Sequence, residues 1–291
     1  MSMNIKAVLA VCVAALLWST GGVIIKSITW DPFIIAGGRA FFGGLFLLLA
    51  TRSTTLRLTP IQLGGGVAYA VTSLTFVLAT KLTLAANVVM LQYTAPIFAS
   101  VLGILLLKEY PKRVDWLVLP AVLVGVYLLF ADRASAGSAL GNGLALFSGF
   151  SLAVLTIAMR KQKSASPLDS IILGSGMIVL CVLPIFLLKA GNMQLFSLNL
   201  GLLVFLGAFQ VALPFLFFGY AVKRITAFEA TVFKAVEPMT NPVWVFLITG
   251  ERPGAIALTG ALLIFSMVLG RNMFVLGGGV ASPGSADSRD T

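Results

Sequence analysis

The stretch Asn87–Pro111, NVVMLQYTAPIFASVLGILLLKEYP, decides the fold class of this chain. It is a long apolar run with one proline near its middle and an abrupt polar end, KEYP. The stretch Glu229–Pro253, EATVFKAVEPMTNPVWVFLITGERP, repeats this plan later in the chain. We interpret the two stretches as copies of one membrane unit, because three pairs align at the same offset of 142 residues: Pro96 with Pro238, Glu109 with Glu251, and Pro111 with Pro253.

The composition indicates an all-α integral membrane protein. Hydrophobic residues form 59% of the chain and charged residues 10%, with a mean hydropathy of +1.03, whereas a soluble domain carries about 25% charged residues. The apolar runs are continuous, which suits helices of ~20 residues crossing a ~30 Å hydrocarbon core and not the ~10-residue alternating strands of a membrane β-barrel. Cys12 and Cys181 lie inside apolar runs and the chain has no histidine, so we expect no disulfide framework, metal site or cofactor.

Ten transmembrane helices are predicted, as two inverted five-helix repeats. Residues 1–130 form the N-terminal repeat, 131–141 a polar linker, 142–275 the C-terminal repeat, and 276–291 a disordered cytoplasmic tail. Helices 1 to 5 are placed at about 5–25, 32–52, 60–81, 87–107 and 114–130. Helices 6 to 10 are placed at about 142–160, 167–189, 201–220, 229–248 and 255–274.

The positive charges favour one side of the membrane. Thirteen of the 20 Lys and Arg residues fall on the side of the N-terminus and five on the other side, with Arg39 and Lys234 inside helices. By the positive-inside rule both termini are cytoplasmic, in a bacterial-type inner (plasma) membrane. The rule also explains the net charge of +10, so we expect the lipid bilayer and no nucleic acid as partner. Each half holds an odd number of helices, so the halves are inverted, an architecture of secondary transporters with a site near the midplane.

Several residues of this pattern resemble the drug/metabolite transporter superfamily, EamA-type. The family pattern includes a Trp in helix 1, here Trp18 in LLWSTGG, and an Arg in helix 2, here Arg39 in GGRAFF. It also includes the mid-helix prolines and the terminal glutamates of the two repeated stretches. The likeness covers residues 5 to about 275.

The resemblance implies a function. Within the superfamily the chain most resembles the YddG-type aromatic amino-acid exporters, which implies export from the cytoplasm by alternating access without ATP. The chain has no G-x-x-x-x-G-K-[ST] loop. We expect a secondary exporter of amino acids, aromatic and other neutral ones, and of related small metabolites, working as a monomer.

Three alternatives are weighed against this expectation. One is an exporter of lipophilic cationic drugs or other metabolites of the superfamily. Another is a membrane subunit that transports nothing. An intramembrane enzyme is disfavoured because such an enzyme needs paired acids, a nucleophile with a base, or metal ligands, and Glu237 is the only deep carboxylate.

Lys234 and Glu237 are the first candidates for substrate binding, because ionisable residues inside membranes are functional candidates by default. They lie three residues apart on one helix face and can touch. The functional interpretation is a zwitterion site, with Lys234 near a carboxylate and Glu237 near an ammonium or acting as a proton carrier. The alternative is a mutually neutralising pair that only fixes packing. Proton coupling and facilitated exit both stay open.

Other candidates surround this pair. Gln92 and Tyr93 precede Pro96, which bends its helix as Pro238 does in the second copy. Trp18, Tyr69 and Gln210 lie at inner depths, and the two aromatic residues could stack a ring or simply pack; Phe209 and Phe215 are weaker candidates. Glu109 and Glu251 form a gate contact or a helix-end salt bridge. For Arg39 we favour a structural anchor over a substrate contact.

Overall fold

The structure, a computed structural model, describes residues 4–51, 58–131, 138–162, 166–189, 198–240 and 254–277, and all regular structure in these ranges is helical. Seven helices of this part are long and apolar enough to cross a membrane, and they match predicted helices 1 to 4 and 6 to 8. Shorter apolar helices, Asp115–Leu128 and Leu258–Arg271, lie at predicted helices 5 and 10. The second half of predicted helix 9, and Glu251 just beyond it, lie outside the described residues, so the count of ten stays a prediction.

Each predicted span corresponds to one or more helical pieces. The first half consists of α1 (Ile5–Trp18), α2 (Gly21–Ser27), α3 (Pro32–Thr51), α4 (Pro60–Leu82), α5 (Ala85–Gln92), α6 (Ala95–Leu102), a π-helical turn (Gly103–Leu107) and α7 (Asp115–Phe130). The second half consists of α8 (Ala139–Lys161), α9 (Leu168–Lys189), α10 (Leu198–Phe205), a π-helical stretch (Leu206–Ala212), α11 (Leu213–Val222), α12 (Ala227–Phe233), helical residues 236–240, and α13 (Ala255–Gly277).

Some predicted boundaries shift by a few residues. Helix α8 begins at Ala139, inside the predicted linker 131–141, because the Ser138 hydroxyl caps it by accepting a hydrogen bond from the Gly141 N–H. Helix α13 continues to Gly277, into the predicted tail. Residues 132–137 of the linker and 278–291 of the tail lie outside the described residues.

Hydrogen bonds at the two ends of the bundle give the helix directions. At the end that holds Lys26, its Nζ donates to the Thr83 carbonyl over 2.9 Å, and the Thr83 hydroxyl donates to Asn142 over 3.0 Å. Predicted helices 1 and 3 therefore end where helix 6 begins. At the opposite end, which holds Glu109, Arg160 pairs with Glu109 and donates to the Val222 carbonyl. Helices 4, 6 and 8 all end there, so helices 1 and 6 run in opposite directions, as inverted halves require.

The packing between the halves is symmetric. Helix α4 packs on α8 and α9, and the span built from α10 and α11 packs in the matching way on α1 and α3. Helices α6 and α12 meet each other, as do α7 and α13. Exchanging the two halves reproduces this pattern of contacts. The chain therefore has a two-repeat fold, and the interface between the repeats lies at the centre of the bundle.

Candidate functional site

Four spans are interrupted near the middle of the bundle. The first span breaks between Trp18 and Gly21, the fourth between Gln92 and Ala95, and the ninth after Phe233, while the eighth widens into the π-helical stretch. Pro96 and Pro238 each follow a break, because proline has no N–H to donate and disfavours helical geometry in the residue before it. Interrupted spans expose backbone polar groups, and transporter substrate sites are commonly built from them.

A central cavity of about 60 Å³ lies where these interruptions meet. Six of the seven predicted substrate-binding residues line it, and the seventh, Tyr93, hydrogen-bonds to one of them. The lining comes from both halves of the chain: Trp18, Tyr69, Thr72, Ser73, Phe76, Gln92, Leu152, Gln210, Phe215, Lys234 and Glu237.

The buried Lys234–Glu237 pair occupies one wall of the central cavity. The Lys234 Nζ lies 2.6 Å from Glu237 Oε2, and both side chains are less than a tenth exposed. The Tyr93 hydroxyl contacts the Lys234 carbonyl at 2.5 Å and Glu237 Oε2 at 3.3 Å. The same ammonium lies 5.2 Å from the Trp18 ring centroid and 5.4 Å from that of Tyr93, within range of cation–π attraction. The two charges therefore neutralise each other in an aromatic environment.

Gln210 joins the two halves across the cavity. Its Nε2 donates to the Thr20 hydroxyl over 2.7 Å and to the Leu17 carbonyl at the break in the first span. The Leu17 carbonyl also accepts from the Thr20 hydroxyl over 3.0 Å. The Trp18 indole N–H donates in return to the Gln210 carbonyl over 3.0 Å. Gly21 lies directly under this amide, so a Cβ at that position would collide with it.

Gln92 and the aromatic residues complete the walls. The Gln92 amide donates to the Ser148 hydroxyl over 2.8 Å. Phe215 packs edge-to-face against Trp18 and Tyr69, with ring centroids 5.3 Å and 5.4 Å apart. Phe209, the other weak aromatic candidate, is instead 44% exposed and stacks on Phe205.

Sequence reasoning missed several polar residues of the site. Thr72 and Ser73 line the cavity, and Ser148 holds Gln92 in place. Their signal in the sequence is a hydroxyl on an otherwise apolar span, which in membranes commonly marks a helix contact or a site. Hydroxyls recur along many spans of this chain, so that signal alone selects no residue.

The arrangement offers opposite charges, hydroxyls, amides and aromatic faces. Among the described residues, no three Cys, Asp or Glu side chains come together as a metal site.

Two ion networks join the halves at the Glu109 end. Glu109 pairs with Arg160 and accepts from the Ala227 N–H over 3.2 Å. Arg271 pairs with Asp115 at 2.8 Å and with Glu229 at 2.9 Å. Both networks tie a residue of the first half to residues of the second, so separating the halves at this end requires breaking them.

Lys108 directs Glu109 toward its partners. It is the one non-glycine residue with positive φ, at 55°, in the described part of the chain. This left-handed residue ends the π-helical turn and lets the Glu109 N–H donate to the Gly103 carbonyl over 3.0 Å. The carboxylate of Glu109 thereby leaves the helix axis and reaches the second half.

One family model and two relatives named as transporters match this chain. The model of the EamA-like transporter family matches residues 5–131 and 139–272. An uncharacterized transporter of Archaeoglobus fulgidus is 26% identical over 263 residues, covering 89% of this chain and 94% of the relative. The uncharacterized transporter YwfM of Bacillus subtilis is 26% identical over 258 residues, covering 84% of this chain and 86% of the relative.

The fold also has a counterpart of known structure. A protein solved by crystallography superimposes with a TM-score of 0.78 at 18% identity, over 96% of this chain and 100% of that one. The family match spans both halves of the chain, and the relatives are named as transporters without a substrate. The chain therefore belongs to the EamA-like transporter family of the drug/metabolite transporter superfamily and is a multi-pass membrane transporter.

Proposed function

We propose that this transporter exports neutral amino acids, aromatic ones among them, and related small metabolites. The observation that carries the proposal is the Lys234–Glu237 pair on the wall of a cavity with aromatic sides. A zwitterion that inserts into this pair meets Glu237 with its ammonium and leaves no net charge uncompensated in the low-dielectric interior. Trp18, Tyr69 and Phe215 supply faces for an aromatic side chain.

The export direction is the one that the resemblance implies, and the predicted topology assigns a side of the membrane to each end of the bundle. The positive-inside rule assigns the Glu109 end to the cytoplasm of the cell, with both termini on that side of the inner membrane. Loading from the cytoplasm then requires the Glu109–Arg160 and Arg271 networks to open, and release requires movement at the Lys26 end. Glu237 is the carboxylate in the cavity wall and carries the proton if export is proton-coupled; without such coupling, export runs down the substrate gradient.

A second candidate function is export of lipophilic cations. The specific observation in its favour is that the rings of Trp18 and Tyr93 already flank a cation, the Lys234 ammonium. A ligand cation takes the same place if Lys234 moves aside, with Glu237 as its counter-ion. This function needs Glu237 and not Lys234, whereas a zwitterion uses both.

The test is efflux of labelled solutes from proteoliposomes containing the purified chain. The panel holds phenylalanine, leucine, tetraphenylphosphonium as the lipophilic cation, and glucose. We expect both amino acids to leave faster than from protein-free liposomes, with the cation and the sugar unchanged. Efflux of the cation alone contradicts the amino-acid proposal and supports the second candidate, and efflux of nothing at all indicates a subunit that transports no solute.

A further inference from the structure

A second charged group lies behind the cavity wall. Arg39 of α3 is buried, 7% exposed, next to Tyr69, and the Tyr69 hydroxyl in turn lies beside those of Ser73 and Ser175. We call these four residues the Arg39 cluster. Within the described structure, Arg39 Nε and Nη1 are buried without a hydrogen-bond partner, whereas the Tyr69 hydroxyl interacts with the hydroxyls of Ser73 and Ser175. The cluster therefore holds a permanent positive charge with unused N–H donors beside a group of hydroxyls.

No carboxylate of the described chain neutralises Arg39. All six described acidic residues are bound elsewhere: Asp31 to Lys189, Glu109 to Arg160, Asp115 and Glu229 to Arg271, Asp169 to Gln62, and Glu237 to Lys234. A buried charge without a partner is costly. The structural role favoured from sequence would therefore act without an ion partner among the described residues.

The Arg39 cluster shares two residues with the central cavity. Tyr69 and Ser73 belong to the cluster and also line the cavity. Elsewhere in the lining the Lys234 charge is already neutralised by Glu237 at 2.6 Å. Arg39 does not line the cavity itself, but it lies next to the lining residue Tyr69 and has no ion partner among the described residues. Its planar fork of N–H donors matches the two oxygens of a carboxylate.

We propose that the Arg39 cluster is an anion-binding subsite that holds the carboxylate of the transported solute at the cavity wall. The ammonium of a zwitterion then lies toward Glu237. In this refinement of the proposed function, Arg39 and not Lys234 receives the carboxylate, and Lys234 stays beside Glu237 as its ion partner. This assignment rests on the proposed function for the identity of the anion. The subsite itself rests on the unpaired guanidinium and the hydroxyls beside it.

The first test is the thermal stability of the purified protein in detergent without ligand. Arg39→Gln removes an unpaired buried charge and keeps a side chain of similar length, so we expect a melting temperature equal to or above that of the wild type. Lys234→Met, which leaves Glu237 unpaired, serves as the contrast and lowers the melting temperature. A clear loss of stability in Arg39→Gln indicates a structural anchor and overturns the proposal.

The second test compares ligands that differ only in their charged groups. The probes are phenylalanine, phenethylamine, which lacks the carboxylate, 3-phenylpropionate, which lacks the ammonium, and chloride replacing gluconate as a simple anion. We expect phenylalanine and 3-phenylpropionate to raise the melting temperature of the wild type. In Arg39→Gln their half-maximal concentrations rise roughly tenfold to a hundredfold, while phenethylamine is unaffected. Arg39→Lys keeps the charge but loses the planar fork of donors. Its half-maximal concentrations for the two carboxylates should lie between those of the wild type and of Arg39→Gln.

The outcomes separate this inference from the proposed function. If Lys234→Met and not Arg39→Gln removes the preference for a carboxylate, amino acids still bind but the subsite is wrong. If chloride alone stabilises the wild type and depends on Arg39, the subsite holds an inorganic anion and the carboxylate assignment is overturned. If phenethylamine stabilises while both carboxylates fail, the amino-acid function falls together with the subsite.

Discussion

At the scale of single residues, Lys234 and Glu237 set the energetics of the site. Each is less than a tenth exposed and each is the other's ion partner. Removing one member of a buried pair leaves the other charged and unpaired, which costs about 3–5 kcal/mol, whereas replacing both removes two charges together. We expect Lys234→Met and Glu237→Gln each to lower the free energy of unfolding by a few kcal/mol.

The Lys234→Met/Glu237→Gln double variant tests the coupling. We expect it to be more stable than the sum of the two single losses predicts, by more than ~1 kcal/mol. The measurement is unfolding in mixed micelles with increasing SDS. Thr259→Ala is the control, because the exposed Thr259 hydroxyl donates to the Ala255 carbonyl of its own helix. If the losses of unfolding free energy in the two single variants add up to that of the double variant, Lys234 and Glu237 do not interact directly.

Lys108 carries the backbone strain that orients Glu109. Its φ of 55° is costly for residues with a Cβ, by about 1–2 kcal/mol, and costs glycine little. We expect Lys108→Gly to raise the free energy of unfolding by up to ~1 kcal/mol. Lys108→Val, with a β-branched side chain, lowers it. Equal stability of the glycine and valine variants in the same SDS titration contradicts the left-handed conformation.

At the scale of elements, α4 and α9 approach closely through glycines. A Cβ on Gly174 would collide with the Gly66 carbonyl oxygen and lie 2.8 Å from the Tyr69 ring, whereas nothing lies within 4 Å of a Cβ on Gly176. We expect Gly174→Ala to cost about 1–3 kcal/mol of unfolding free energy, typical of overpacking. Gly176→Ala, on the same helix, stays within ~1 kcal/mol of the wild type. The two alanine variants should therefore differ; similar stabilities refute the close approach.

The interrupted spans were only partly predictable from sequence. Pro96 and Pro238 indicate bends because proline acts locally on its own helix. The break after Trp18 and the π-helical stretch at Gln210 contact each other, since the Gln210 amide donates to the Leu17 carbonyl and the Trp18 indole donates to the Gln210 carbonyl. These residues are far apart in the chain, and no local pattern indicates that they meet.

The Glu109–Arg160 pair joins elements of both halves and is expected to hold the Glu109 end closed. Ser100 is 4% exposed and lines a cavity of about 50 Å³ between the ion networks. In a background with Cys12 and Cys181 replaced by alanine, we expect Glu109→Gln to speed labelling of Ser100→Cys by a water-soluble maleimide. The expected increase is roughly tenfold, because hydrogen bonds to charged groups contribute about 1.5–3 kcal/mol.

The matched control for this labelling lies at the other end of the bundle. Asp31 pairs with Lys189 at 2.5 Å, and Lys189 is 54% exposed. Asp31→Asn should leave the labelling rate of Ser100→Cys unchanged, since it breaks an ion pair at the Lys26 end. A rate that does not respond to Glu109→Gln, or responds equally to Asp31→Asn, argues against a closure at Glu109.

At the scale of the whole molecule, the fold class and the repeat were within reach of the sequence. Apolar length and the duplicated Pro and Glu positions are local patterns, and they correctly indicate a helical membrane transporter with two repeats. The contacts of Arg39 and of Glu109 could not be predicted from the sequence, because they depend on how helices from both halves rotate against each other. For the same reason the sequence assigned Arg39 an anchoring role without specifying its neighbours.

The central claim is that the cavity around Lys234 and Glu237 is the transport site, and substrate protection tests it most directly. Thr72 lines this cavity and is 8% exposed. The measurement is the rate at which 2-aminoethyl methanethiosulfonate modifies Thr72→Cys in proteoliposomes, with Cys12 and Cys181 replaced by alanine and phenylalanine added in increasing concentration. Ser27→Cys, at an exposed helix end, is the control.

We predict that phenylalanine slows modification of Thr72→Cys, with a half-maximal concentration equal to that for its transport, and leaves Ser27→Cys unchanged. Phenylalanine transport without any protection of Thr72→Cys would contradict the account, because the solute would then cross the membrane by a route that avoids this cavity.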